Sequence, residues 1–220
     1  MKIGVIHATM NAVEPLMAVF KKNAPETTVL NFLNENLLFR ANAVGGADYK
    51  GLRAFTKLVF EAVDAEVDGI IVACSVFCPF VPLMRNFTDI PMIAIDNPML
   101  ERAVNEGKKI GILATTAPSA PSAKRQLEKM AAEENKTLEF DMEIITDAMV
   151  ALKAGDVEKH NEIIAEAGKR LVERGCDTLV LSQITMACAA EKMKNFGVNV
   201  LSSPEEGYKK IVEMVNKNIK

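Results

Sequence analysis

The chain has only two histidines, His7 and His160, and its four cysteines form no CxxC pair. A structural or catalytic zinc needs three or four such ligands at close spacing, so no zinc site is expected. No GxGxxG and no P-loop pattern occurs, which leaves a dinucleotide or nucleotide site without support. No basic run is present, and aromatic residues do not interleave with basic ones. With 26 Lys+Arg against 29 Asp+Glu the net charge is −3, and nucleic acid is not an expected partner. Long hydrophobic runs are also missing. The longest, Gly69 to Met84, contains Pro79 and Pro82 and falls short of the roughly 18 residues a spanning helix needs. No membrane partner is therefore expected. No charged-then-apolar leader precedes the strand that begins at Lys2, so the expected location is cytoplasmic. There Cys74, Cys78, Cys176 and Cys188 are free thiols rather than a disulfide framework.

What is present is an ordinary globular composition, 49% apolar and 25% charged over 220 residues, enough for one large domain or two small ones. The stretch Val67 to Phe80, VDGIIVACSVFCPF, organises the rest. An acidic turn at Asp68 leads into a dense apolar strand, Ile70 to Ala73, which ends on Cys74. In an open parallel sheet the carboxyl end of a strand faces the ligand crevice. A thiol there is a candidate reagent; inside the strand it would only fill space.

Strand patterns alternate with helical ones along the whole chain. Strands are expected at Lys2–His7, Thr27–Phe32, Ile70–Ala73 and Pro91–Ile95, then at Lys109–Leu113, Leu138–Ile144, Thr178–Leu181 and Asn199–Leu201. Helices are expected at Asn11–Asn23, from the Asp48 cap through Ala65, from Asn97-Pro98, at Ser119–Glu134, after Gly155-Asp156, and from Ser203. Ala41–Ala47, with Gly45-Gly46, reads as a flexible loop. Ser203-Pro204-Glu205-Glu206 reads as a capping box. This alternation predicts parallel sheets covered on both faces.

The second half repeats the first. KIGVIHAT at Lys2 and KIGILATT at Lys109 lie 107 residues apart, Cys74 and Gln183 lie 109 apart after matching Asp-led strands, and Asn97-Pro98 and Ser203-Pro204 lie 106 apart. Three landmarks in one order at nearly one offset point to a duplicated α/β unit. The expected lobes are 1–97 plus 205–220, and 98–204, with a cleft between the carboxyl ends of their strands.

In the common doubly wound order the first and third strands are neighbours, about 4.8 Å apart. That brings His7 and Cys74 within reach, and a histidine beside a cysteine lowers the thiol pKa. The alternatives are a satisfied polar residue at a strand end for His7 and a small apolar core residue for Cys74. In the second half the matching positions are Ala114, Thr115 and Thr116, then Ser182, Gln183 and Thr185. Hydroxyls and amides at helix N-termini suit a carboxylate, and Ser75, Asn97, Ser119 and Ser203 add to the set, although plain helix capping accounts for several of them. Cys78 and Cys188 read as core.

These residues carry a resemblance over essentially the whole length. IGVIHAT at the start, VACS around Cys74, DNP at Asp96–Pro98, IGILATTAPS from Ile110 and LVLSQ at Leu179–Gln183 are similar to the aspartate/glutamate racemase superfamily, which includes amino-acid and hydantoin racemases, maleate isomerases and arylmalonate decarboxylases. The resemblance implies two pseudo-symmetric α/β lobes, each a four-stranded parallel sheet flanked by helices, an active site between them, and no cofactor. It implies a small carboxylate or amino-acid substrate, with Cys74 and His7 as catalytic residues. Thr9, Ser75, Val76, Asn97, Thr115, Thr116, Ser119, Gln183 and Thr185 are then the substrate-binding set. Two departures stand out. The racemases carry a second cysteine where this chain has Gln183, and an acidic residue where it has His7. Glutamine is neither acid nor base at neutral pH, but its amide hydrogen-bonds substrate oxygens. The expected activity is that of a cofactor-independent racemase, with two alternatives: a single-cysteine decarboxylase or isomerase, and a sensor that binds a small molecule without chemistry. A homo-oligomer is compatible with the sequence.

Overall fold

The structure is a computed structural model that describes residues 1–117 and 119–218. Pro118, inside the IGILATTAPS stretch, and residues 219–220, at the end of the first expected lobe, lie outside the described residues. By packing, the chain divides into two units, Met1–Asn97 with the chain from Pro204 onward, and Pro98–Ser203.

In the first unit the apolar run after Lys2 forms β1 (Lys2–His7), buried from Ile3 onward. Such a run suits a parallel strand covered on both faces. The chain continues through α1 (Val13–Asn23), β2 (Thr28–Leu33), α2 (Asn36–Val44), α3 (Tyr49–Asp64), β3 (Gly69–Ala73), a short α4 (Val81–Met84) and β4 (Met92–Ala94), and α5 (Asn97–Glu106) opens the second unit. The second unit then carries β5 (Lys109–Ala114), α6 (Ser119–Glu133), β6 (Glu139–Ile144), α7 (Thr146–Lys153), α8 (Val157–Glu173), β7 (Thr178–Leu181), α9 (Ala190–Met193) and β8 (Asn199–Ser202), and α10 (Ser203–Asn218) belongs to the first unit from Pro204 onward. The first sheet has the order β2-β1-β3-β4 and the second β6-β5-β7-β8, all parallel. The second order is the first with every strand advanced by four, which is the duplicated topology.

The repeat extends to its fasteners. The Asp68 carboxylate accepts the Lys2 backbone N–H at 2.7 Å, and the Asp177 carboxylate accepts those of Lys108 and Lys109 at 3.1 and 3.4 Å. Lys2 Nζ donates to the Ala65 carbonyl at 3.0 Å, and Lys109 Nζ to that of Arg174 at 2.7 Å. Each lysine thus closes the C-terminus of the helix before the third strand of its unit, where unsatisfied carbonyls and the helix dipole favour a cation. Glu66 and Gly175, the residues that follow those two helix ends, both have positive φ, 52° and 89°.

The glycine of each KIG motif faces the packed core, with little room for a side chain at Gly4 and none at Gly111. A Cβ on Gly4 would lie 3.3 Å from Ala62, Phe32 and Val67; one on Gly111 would lie 2.8 Å from Leu179 and 3.1 Å from Leu171. In the second unit β5 is buried on both sides. Ile110, Ile112 and Ala114 pack with α5 and α6 residues such as Leu100 and Leu127, while Leu113 packs with Leu171 and Ile164 of α8. This is the period-2 alternation of a strand between two helical layers.

Two expectations need correction. Gly45-Gly46 does not form a loop of its own but ends α2: Gly45 takes φ 75° and its N–H bonds back to Ala41, the left-handed helix terminator that glycine adopts without steric cost. The capping box at Ser203 does not form either. Ser203 is fully buried, and its hydroxyl has no hydrogen-bond partner. The other expected caps hold, with Asp48 accepting from Gly51 N–H and Asp156 from Lys159 N–H.

Candidate active site

In the first unit, β1, β3 and β4 lie side by side and end together, so His7, Cys74 and Asp96 arrive at one edge of the sheet. His7 pairs in register with Ala73, one residue before Cys74. After Cys74 the chain turns at once: the N–H groups of Phe77 and Cys78 both return to the Cys74 carbonyl, at 2.9 and 3.0 Å. That tight turn leaves the backbone N–H groups of Val76 and Phe77 close enough to the Cys74 sulfur to favour its thiolate. Ser75, beside it, is exposed, and its hydroxyl donates to Asp96 Oδ2 at 2.9 Å. Val76 and Asn97 are half-buried, and Thr9 accepts from the Asn11 N–H at 3.4 Å, a capping contact.

Burial pushes the Cys74 thiol up from its ordinary value, and the Asp96 carboxylate adds to that, while the two backbone N–H groups pull the other way. Desolvation wins because a thiolate loses more hydration than two partial dipoles return. The expected help from His7 is absent. Its ring is fully buried, and Nε2 meets Asn31 Oδ1 on β2 at 2.9 Å, away from β3. Nδ1 has no hydrogen-bond partner. Burial holds the His7 pKa below its ordinary value, against the raising effect of the Asn31 bond. The strands are adjacent as expected, but the imidazole is committed to the opposite neighbour, so Cys74 rests as a protonated thiol.

In the second unit the corresponding edge carries Thr115, Thr116, Ser182 and Gln183. Gln183 Oε1 accepts from the Thr115 N–H at 2.6 Å and from the Thr115 hydroxyl at 3.0 Å. The hydroxyls of Thr116 and Ser119 lie 2.6 Å apart. Thr185 keeps a buried, unpartnered hydroxyl, while its carbonyl lies 3.3 Å from His160 Nε2. His160 Nδ1 donates to the Ala148 carbonyl at 2.7 Å, so this fully buried histidine ties the loop after Gln183 to α7. The structure therefore places Cys74, Ser75, Val76 and Asn97 at one strand edge of the first unit, and Thr115, Thr116, Ser119, Gln183 and Thr185 at the matching edge of the second.

Among the other thiols, Cys78 and Cys176 are buried. Burial pushes both up, and the Cys78 thiol donates to the Val72 carbonyl at 3.4 Å. Cys188 was expected in the core and is instead exposed, because the segment Ile184–Ala189 winds as a 3-10 helix that turns Met186 and Ala189 inward. Sequence reasoning passed over Asp96 as a site residue. Its signal was an acid directly after the apolar run MIAI, at the carboxyl end of a strand. Among the described residues no group of three His, Cys, Asp or Glu side chains is arranged to hold a metal ion, and no helix is long and apolar enough to cross a membrane.

Two parallel α/β units of one topology, with a thiol at a strand end in one and an amide at the equivalent strand end in the other, define a duplicated α/β protein of the racemase type. The chain belongs to the Asp/Glu/hydantoin racemase family, whose sequence profile matches residues 6–211. An aspartate racemase homologue from Pyrococcus horikoshii superposes with a TM-score of 0.75 at 17% identity, covering 98% of this chain and 99% of that one. Allantoin racemase from Klebsiella pneumoniae gives 0.71 at 20% identity over 99% and 89%. A glutamate racemase isoform from Bacillus anthracis gives 0.66 at 17% over 98% and 82%. At these identities the likeness is one of fold. A search of curated proteins found no sequence match.

Proposed function

We propose that this protein is a cofactor-independent enzyme that moves a proton at the carbon next to a carboxylate of a small carboxylate or amino acid, with Cys74 as the group that carries the proton. The observation behind this reading is the position of Cys74: at the carboxyl end of a central strand, where the chain turns tightly and sets the backbone N–H groups of Val76 and Phe77 nearby. Those N–H groups stabilise the thiolate whenever the proton has left. In the forward direction the Cys74 thiol first gives its proton to water; the bond from carbon to hydrogen then breaks, its electron pair spreads into the carboxylate as an enediolate, and the proton passes to the thiolate sulfur. In reverse the thiol protonates the enediolate carbon. Thr9, Ser75, Val76, Asn97, Thr116, Ser119, Gln183 and Thr185 are proposed to hold the substrate oxygens, Thr115, which is buried and bonded to Gln183, to act through that amide, and His7 to support β1 and β2 through Asn31 rather than to activate the thiol. Family membership supports amino acids and their ring derivatives as substrates, since relatives of this fold are named as racemases of aspartate, glutamate and allantoin.

One observation favours a second reading. The resting thiol is protonated and the second cysteine position is Gln183, whose oxygen is occupied by Thr115. A thiol that starts as a donor suits a decarboxylation: the bond to a departing carboxylate breaks, carbon dioxide leaves, the electron pair stays as an enediolate, and Cys74 delivers one proton to carbon before water reprotonates the sulfur.

A panel of amino acids, small dicarboxylates and 2-substituted malonates in deuterated water, followed by NMR, tests both. Deuterium should enter the carbon beside the carboxylate with the wild type and with Cys188→Ala, and not with Cys74→Ala. Loss of carbon dioxide with one deuterium gained marks the second reading. Labelling that survives Cys74→Ala, or no labelling of any compound, overturns the proposal.

A further inference from the structure

Gln183 sits in the second unit at the position equivalent to Cys74. Which end of its amide faces outward decides what it can bind. Its oxygen is named by its neighbours: a backbone N–H can only donate, so the atom 2.6 Å from the Thr115 nitrogen has to be the acceptor. The Thr115 hydroxyl donates to the same oxygen at 3.0 Å. The other end of the amide, Nε2, has no hydrogen-bond partner among the described residues. Reversing the amide would set its NH2 group against the Thr115 N–H. Thr115 is 1% exposed, so that N–H would have no water to turn to, and an unmet buried donor is strongly disfavoured. The amide is therefore held in one orientation, with two N–H bonds to offer and no acceptor to present.

We infer that Gln183, oriented by Thr115, is a donor-only anchor that selects a carboxylate oxygen of the ligand and rejects an ammonium or any other donor at the same point. This rests on the proposed function for its setting, and it adds a specificity that the second cysteine of a racemase would not supply: proton exchange is replaced by oxyanion recognition. Thr115 is a positioning residue, acting only through Gln183. Unlike a side chain that swivels to suit either kind of partner, an amide locked from behind discriminates by sign.

The chain contains just two glutamines, Gln126 on α6 and Gln183, which makes a direct test simple. Protein labelled with nitrogen-15 on glutamine shows two side-chain NH2 pairs, and Gln126 is the internal control. On titration with malonate or L-aspartate the Gln183 pair should shift and the Gln126 pair should not; ethylammonium should move neither. Gln183→Glu keeps an oxygen for Thr115 and replaces the outward donors by a charged acceptor. It should weaken malonate binding by roughly tenfold to a hundredfold, the range for a hydrogen bond to a charged group. Thr115→Val, which keeps the backbone donor, should weaken it less, and Thr115→Ser should restore it. Malonate or L-aspartate binding that leaves the Gln183 pair unmoved, Gln183→Glu binding malonate as tightly as wild type, or no binding of either carboxylate overturns the inference. The wild-type titration decides even where a variant folds poorly. Because binding is read without turnover, and is expected to persist in Cys74→Ala, a shifted Gln183 pair with no deuterium exchange would overturn the proposed chemistry alone.

Discussion

Replacing Gly111 by alanine is expected to destabilise the second unit, whereas the same change at Gly4 should be close to neutral in the first. The two glycines hold the same place in the two KIG strands, so the local sequence predicts equal effects. Their surroundings differ. A Cβ at Gly111 would stand 2.8 Å from Leu179 Cδ2, 3.1 Å from Leu171 Cδ1 and 3.2 Å from Cys176 Sγ. All three are at most 2% exposed, so none can swing into solvent. Overpacking of this kind costs about 1–3 kcal/mol. A gain of about 0.4–1 kcal/mol from the stiffer unfolded chain offsets part of it. At Gly4 the nearest atoms all lie at 3.3 Å, an overlap that a few tenths of an ångström relieves, and the two effects roughly cancel. The difference of about 1–2 kcal/mol corresponds to about 4 °C in melting temperature for a protein of this size. Urea and thermal unfolding of both variants, with hydrogen exchange to assign the loss to a unit, measures it. Equal shifts, or a larger loss at Gly4, would refute the packing argument. Since Leu179 belongs to β7, the strand that leads to Gln183, Gly111→Ala should also weaken carboxylate binding more than Gly4→Ala.

Two further outcomes follow from the thiols and from His7. Brief iodoacetamide treatment of native protein, mapped by mass spectrometry, should label Cys188 first, because Cys74, Cys78 and Cys176 are buried; Cys74 labelled ahead of Cys188 would show that its sulfur is more open and more ionised than its surroundings imply. For His7, whose folded pKa is held below the ordinary value of about 6.5, the neutral ring is the form that folding favours. Its contribution is full above that ordinary value and is lost as pH falls from there to the folded pKa, with a slope of at most about 1.4 kcal/mol per pH unit. His7→Leu should flatten the pH dependence of stability over that window, and an unchanged slope would rule out the neutral buried ring.

The sequence by itself determined the alternation of strands and helices, the duplication, and the placing of Cys74 and Gln183 at equivalent strand ends. Each of these rests on local or periodic information: apolar runs such as Ile70–Ala73, caps such as Asp48 and Asp156, and the repeated KIG and Asp-led strand starts. The short helices α2 and α7 were not legible in this way, since each has few turns in which an apolar period can show; only the left-handed Gly45 marks where α2 ends.

The chemistry of the candidate site was decided by tertiary structure. His7 was correctly placed beside the Cys74 strand, yet its ring turns to Asn31, a residue 24 positions away on the other neighbouring strand. Gln183 was recognised as an amide in the place of a thiol, but only its pairing with Thr115, 68 positions away, fixes which end it presents. The charge state of Cys74 depends first on how much water the surrounding chain removes, and less on Asp96, brought alongside by β4. Hydrogen-bond direction and desolvation are properties of a residue's neighbours in space. No window along the chain contains those neighbours, which is why the elements were legible and the protonation states and donor directions were not.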